Sequence, residues 1–243
     1  MPQLLEEREA TVIESLLETQ VNTASKIILP FAYAPDEHYF IKDIGEVEKK
    51  KLYSFVKRVF YILFSLFALV ILAIPMLVIA IAIKCSSKGG VFYRQERLGL
   101  NGKPFTLVKF RSMVADAEKD GAKWSDGDND NRITKIGRFL RKTRMDELPQ
   151  LWACLKGELS LIGPRPERPE FYDAFEEHVH GFSQRLKVKP GITGLAQVSG
   201  GYNLRPEEKV VYDIEYIEKR SIWLEIKILF KTVGVVFSHK GAK

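Results

Sequence analysis

Asp146 and Glu147 stand side by side in RMDELPQLW, at the end of a basic run. Adjacent carboxylates serve either structure or chemistry. Asp146 suits a helix N-cap, with Glu147 in the first turn and Pro149 tolerated there because its missing N–H has no helical partner anyway. A carboxylate is also a nucleophile that forms acyl phosphates, and a helix N-terminus is a natural phosphate seat. The two readings are compatible.

The surrounding cations favour an anionic ligand. Lys109, Arg111, Arg132, Lys135, Arg138, Arg141, Lys142, Arg144, Arg165 and Arg168 flank the pair in sequence. Between 132 and 144 four of six cations are arginine, the side chain that grips phosphate oxygens bidentately. In GPRPERP, Pro164 and Pro166 restrict the backbone around Arg165, which suits a side chain that must be aimed. A rigid connecting turn explains the same prolines. KPGITGLAQVSGG brings four glycines that let backbone approach a ligand closely, without a nucleotide-loop pattern. His178 and His180 lie two apart in a stretch expected to be helical, hence on different faces, and are taken as surface residues rather than metal ligands.

The whole chain sets the bounds. Its 243 residues, 46% hydrophobic and 28% charged, suffice for one ordinary core with appendages. The net charge of +6 points to an anionic partner: nucleic acid, lipid headgroups or a phosphorylated substrate. Nucleic acid is disfavoured, because the aromatic residues are not interleaved with the cations and no nucleic-acid motif fits. Two cysteines without metal-type spacing argue against a zinc site or disulfide framework and fit a reducing compartment. The opening MPQLLEEREA does not read as a secretory signal.

Three regions must position these residues. Residues 1–50 form an appendage of unknown role that opens with a short amphipathic helix. Residues 51–88 carry an uncharged run from 59 to 83, whose roughly 37 Å of helix is enough to cross a bilayer core. Pro75 interrupts that run, and basic residues flank it on both sides, leaving little asymmetry for the positive-inside rule to act on. A re-entrant helix, bent at Pro75 and returning to the same face, satisfies both flanks. Residues 89–243 read as one mixed α/β (α+β), helix-rich cytosolic domain. It comprises a hairpin turning at Asn101-Gly102, a polar loop at 116–132, an amphipathic helix in ITKIGRFLRKTR and a short helix closed by Gly157. A further helix lies in FYDAFEEHVHGF, an extended segment in KVKPGITGLAQVSGG, and a helical end follows.

Taken in order, the proline-broken apolar segment, FYRQERLG, KFRSM, RITKIGRFLRKTRMDELPQLW, LKGELSLIGPRPE and VKPGITGLAQVSG strongly resemble the bacterial sugar transferase family, the monotopic polyprenyl-phosphate phosphoglycosyl transferases. The resemblance covers about residues 55–237. It implies that a nucleoside-diphosphate sugar, a UDP-sugar, gives its sugar-phosphate to undecaprenyl phosphate with release of UMP, starting a surface polysaccharide or glycoconjugate. It implies Asp146 as the nucleophile, passing through an aspartyl sugar-phosphate, with Glu147 as supporting acid/base. Mg²⁺, held with Asp146, is the implied cofactor, and the plasma membrane the implied location, with the catalytic domain on its cytoplasmic face. Substrate-binding roles fall to Lys109, Arg111, Arg132, Arg138, Arg141, Arg144, Pro164, Arg165, Pro166, Glu167 and Gln197, and the helix break to Pro75. Three positions depart from the family pattern: Tyr61 where an aspartate is common, Ala153 where an asparagine is usual, and Glu225 in place of an aspartate. A rival of another class is a non-catalytic membrane-anchored protein whose basic face docks on anionic lipid while Asp146 only caps a helix. The sugar and the oligomeric state are not readable from these motifs.

Overall fold

The computed structural model describes residues 33–34, 36–118, 130–200 and 204–238. The amphipathic helix expected near the N-terminus, and most of the polar loop expected at 116–132, lie outside them. The architecture is mixed α/β, mostly helical, with three two-stranded sheets among the described residues.

Two apolar helices come first, α1 (Lys51–Ile71) and α2 (Ala73–Ser86). The expected break at Pro75 falls instead at Leu72, which leaves helical geometry at φ −85°, ψ 0°. The cause is still Pro75: its ring clashes with the carbonyl four residues back, at Ile71, and it offers that carbonyl no N–H. α1 is long and apolar enough to cross a membrane, by length and composition. Yet both distant ends of the pair dock on the same body. Arg58 near the start of α1 donates to the carbonyls of Cys154 (2.6 Å) and Leu155 (2.7 Å). Near the end of α2, Ile79 and Ile83 are buried in a cluster with Phe110 and Leu140. Between those ends, Leu63, Phe67, Val70, Ile74 and Leu77 are exposed. So large an apolar surface marks an interaction with membrane or protein.

The hairpin forms as expected. β2 (Phe92–Leu98) and β3 (Pro104–Phe110) pair antiparallel, from Phe92 opposite Phe110 to Leu98 opposite Pro104. Its loop passes through Asn101 at φ 56° and Gly102 at φ 72°, the left-handed conformations these two residue types tolerate best. α3 (Lys135–Thr143) is the amphipathic helix, started by Thr134, whose hydroxyl accepts from the Gly137 N–H at 2.9 Å. Gly137 has no substitute: a Cβ there would lie 1.8 Å from the Ser112 carbonyl oxygen. That close approach sets the cationic helix against the end of the hairpin.

A 3₁₀ turn, Met145–Gln150, leads into α4 (Leu151–Lys156), closed by Gly157 at φ 89°. β4 (Ser160–Ile162) then runs parallel to β6 (Gly191–Thr193). Between them lie α5 (Pro169–Glu176), β5 (Val179–His180) and a 3₁₀ turn, Phe182–Lys187. The helix expected through FYDAFEEHVHGF therefore stops at Glu176. His178 and His180 instead flank and occupy a strand, where residues two apart share a face. Both rings lie against His38. β5 pairs in parallel with β1 (Tyr39–Phe40). The segment expected to be extended through KVKPGITGLAQVSGG is so only as far as β6, then coils into α6 (Leu195–Ser199). α7 (Pro206–Lys219) and α8 (Ile222–Ser238) end the described chain. The main core gathers Phe171, Phe175, Phe182, Val210, Tyr216 and Ile228 beneath β4 and α4.

Candidate active site

The acidic pair sits at a backbone kink. α3 stops at Arg144, whose φ of 57° is left-handed, rare for a residue with a side chain. The 3₁₀ turn begins at once, so Arg144 occupies the N-cap position and Asp146 is already inside the turn. The expected N-cap role of Asp146 is corrected accordingly: no side-chain capping bond is made, because the kink at 144 leaves no extended residue at 146.

The two carboxylates are buried alike, 9% exposed at Asp146 and 8% at Glu147, but are treated differently. Glu147 Oε1 accepts from Lys109 Nζ at 3.0 Å and from Arg165 Nη2 at 2.6 Å. Burial alone would raise its pKa; Arg165 and Lys109 outweigh that and hold it well below the usual range. Among the described residues no hydrogen bond or ion pair reaches the Asp146 carboxylate. Burial, reinforced by the charge of Glu147, pushes its pKa up to about 6, against the pull of Lys109, Arg141 and Arg165. Two neighbouring acids driven apart in this way take different chemical roles.

The cations arrive from three separate elements. Lys109 comes from β3, Arg141 and Arg144 from the end of α3, and Arg165 from the loop after β4, between the buried Pro164 and Pro166. That loop is itself clamped. Arg97 donates to the Pro166 carbonyl (3.0 Å) and pairs with Glu167 (3.2 Å).

Other expected binding residues are held elsewhere. Arg111 donates to the carbonyls of Lys88 (2.7 Å) and Ser87 (2.9 Å), tying the exit of α2 to the hairpin. Arg132 pairs with Asp130 at 2.6 Å. Arg138 lies exposed on α3, with no contact to the dyad among the described residues. Gln197 on α6 keeps both side-chain amide atoms buried without a partner there.

A second carboxylate centre underlies the root of α1. Glu225 Oε1 accepts from Lys57 Nζ (2.5 Å), the Tyr216 hydroxyl (2.8 Å) and the Tyr53 hydroxyl, and its Oε2 accepts from the Tyr61 hydroxyl at 2.7 Å. Tyr61 and Glu225, each a departure from the family pattern, are thus hydrogen-bonded to each other. The signal lay in the spacing: Tyr53, Lys57 and Tyr61 recur every four residues, one face of a helix. Arg97 and the buried Arg185–Asp213 pair carry no comparable sequence signal.

The chain thus combines an apolar helical pair, one helix of which is long enough to cross a membrane, with a buried acidic dyad held among cations. The bacterial sugar transferase family matches residues 52–239, and this chain belongs to it. It is 38% identical over 210 residues to UDP-N-acetylgalactosamine-undecaprenyl-phosphate N-acetylgalactosaminephosphotransferase of Aeromonas hydrophila, covering 85% of this chain and 49% of that protein. With UDP-glucose:undecaprenyl-phosphate glucose-1-phosphate transferase of Klebsiella pneumoniae it shares 43% over 191 residues, 76% of this chain and 41% of that protein. A shorter Bacillus subtilis protein, a putative undecaprenyl-phosphate N-acetylgalactosaminyl 1-phosphate transferase, is 52% identical over 140 residues, 57% of this chain and 77% of its own length. The chain spans about half the length of the first two relatives.

Proposed function

We propose that this protein transfers a sugar-1-phosphate from a UDP-sugar to undecaprenyl phosphate, with Asp146 as nucleophile. The observation that carries the reading is the unequal dyad: one buried carboxylate neutralised by Lys109 and Arg165, its neighbour left without a partner among the described residues. The names of the relatives supply the substrate classes; because they differ in the sugar, none is assigned to this chain.

The chemistry follows from the residues. An Asp146 carboxylate oxygen attacks the sugar-linked phosphorus of the donor. The bond from that phosphorus to the bridging oxygen breaks, and UMP leaves with the electron pair. An oxygen of undecaprenyl phosphate then attacks the aspartyl phosphorus, forming the lipid diphosphate and restoring Asp146. Two anionic substrates must approach an anionic nucleophile, so Lys109, Arg141, Arg144 and Arg165 offset the repulsion at each step. Glu147, held ionised by its two cations, keeps Arg165 and Lys109 aimed at the site. Mg²⁺ fits the donor set at Asp146: a carboxylate with no donor among the described residues suits an ion that takes one or two protein carboxylates and completes its shell with phosphate and water. Bound there, it would supply further charge neutralisation to the diphosphate.

The helical pair is proposed as re-entrant at the plasma membrane. The docking of the α1 root and the α2 exit on one body supports this reading, with the catalytic domain on the cytoplasmic face. The deciding experiment mixes the protein, Mg²⁺ and undecaprenyl phosphate with a panel of UDP-sugars. UMP release is expected. UDP release would mean ordinary glycosyl transfer and remove the role given to Asp146.

A further inference from the structure

Residues 36–50 precede the stretch matched by the family, yet they are bound to the catalytic domain. β1 extends β5 in parallel, and backbone bonds run from the N–H of Tyr39 to the His178 carbonyl (2.7 Å) and of Ile41 to the His180 carbonyl (2.9 Å). Beyond β1 several side chains hold the segment, with Lys187 on Asp43 and Gly45, Arg220 on the Glu48 carbonyl, and Gln184 between them. Gln184 Oε1 accepts from the Ile44 N–H at 2.8 Å, and its Nε2 donates to the Lys42 carbonyl at 3.0 Å.

The residue after Gln184 leads inward. Arg185 is 2% exposed, and its Nε donates to Asp213 Oδ2 at 2.7 Å. Its Nη2 donates to the Arg165 carbonyl at 2.8 Å, and the Arg165 guanidinium holds Glu147. Arg185 Nη1 and Asp213 Oδ1 remain buried without partners among the described residues. A buried ion pair with polar atoms left unsatisfied is a poor stabiliser, since desolvation of the charges is only partly offset. What this pair delivers is register: it fixes the backbone from which Arg165 reaches the dyad.

We propose that the N-terminal strap, residues 36–50, and Arg185 are positioning elements for the dyad: the strap fixes Gln184, the adjoining Arg185 fixes the Arg165 backbone, and Arg165 aims at Glu147. The role rests on the phosphoryl-transfer reading above. Its consequence is geometric: when Arg185 no longer holds the Arg165 carbonyl, the Arg165 guanidinium is free to swing away from Glu147.

The test compares full-length wild type with Arg185→Lys and Gln184→Ala, reading kcat and KM for the UDP-sugar separately in UMP release, per folded molecule. Lysine retains a charge opposite Asp213 but loses the second bond, to the Arg165 carbonyl. Arg185→Lys should lower kcat roughly tenfold with KM little changed. Gln184→Ala, at a buried position that leaves the ion pair intact, should lower kcat in the same way by less. A merely structural role would reduce the amount of folded enzyme and leave kcat per folded molecule unchanged. Wild-type kcat per folded molecule in both variants overturns the strap and leaves the reaction standing. No UMP release from wild type with any donor overturns the reaction, and the positioning role with it.

Discussion

Two of the buried carboxylate centres are treated oppositely. Glu225, at the root of α1, is saturated: Lys57 and three tyrosine hydroxyls occupy both of its oxygens. Asp146, buried to nearly the same degree, is reached by no donor among the described residues. Burying a charge is costly unless partners replace the lost water. At Glu225 the cost is offset, and the product is a fixed joint between the helical pair and the domain. At Asp146 it stands, partly relieved by a raised pKa, and the product is an acceptor oxygen with no donor among the described residues. Under the proposed function, the contrast separates anchorage from reactivity.

The largest effect expected from breaking this contrast is at Asp146. Asp146→Asn should lower UMP release by roughly a thousandfold or more, because an amide cannot form the acyl phosphate. It should also stabilise the protein. With a folded-state pKa of about 6 against an ordinary 3.8, native Asp146 holds a proton over a range where the unfolded chain has lost it. Stability therefore falls as pH rises through about 4 to 6. Glu147 has the opposite sign: its contribution is present above its ordinary value and is lost as pH falls through its depressed folded value. Asp146→Asn removes the first slope and should raise the unfolding free energy at pH 8 by about 1–3 kcal/mol. Denaturant melts at pH 5 and pH 8 measure this; a destabilised variant at pH 8 would contradict the account of Asp146 as a costly buried charge. The same pKa places the acid limb of wild-type kcat/KM near pH 6, with activity lost below it.

The opposite substitution belongs at the saturated centre. Glu225→Gln leaves Lys57, only 15% exposed, without its counter-charge. Removing one partner of a buried ion pair costs about 3 kcal/mol, chiefly through the charge left behind. The denaturant midpoint in detergent should fall accordingly. Lys57→Met combined with Glu225→Leu should recover most of the loss, since replacing both partners by apolar groups leaves no orphan. A midpoint unchanged by Glu225→Gln would mean that the tyrosines, rather than the charge pair, hold the joint.

These two centres also mark how far the sequence could be read. That the dyad meets Lys109 and Arg165 was legible, because residue type and spacing announce a cluster of opposite charges. Which carboxylate is free was not, because that depends on where β3 and the loop after β4 bring Lys109 and Arg165. Arg111 looked like another phosphate ligand; its actual partners, the carbonyls of Ser87 and Lys88, lie at the far end of α2. The hairpin, the Gly157 closure and the cationic helix were legible because each rests on local chemistry. The break at Leu72 was displaced from Pro75 because a proline disrupts the turn before it. The extended reading of 187–201 failed past Gly194, where a short helix packs back beside α7 and α8. The β1–β5 ladder joins segments nearly 140 residues apart, and no local pattern reports such a pairing.

Tyr61 supplies the finest division of the comparison. It departs from the family pattern, standing where an aspartate is common; in the structure it is the sole donor to Glu225 Oε2 among the described residues, at 2.7 Å. Tyr61→Phe keeps the ring in its buried place and deletes only that bond. A buried hydrogen bond to a charged acceptor contributes about 1–2 kcal/mol net, so the denaturant midpoint should fall by that amount. Turnover should be unchanged, because Lys57, Tyr53 and Tyr216 still hold the other oxygen and the dyad is untouched. Tyr61→Asp, which restores the residue type common in the family, should be worse than phenylalanine here, since it sets a second carboxylate against Glu225 with only Lys57 to balance both. If aspartate proves as stable as tyrosine, the hydroxyl–carboxylate bond is not what fits position 61 to position 225, and the two departures are independent.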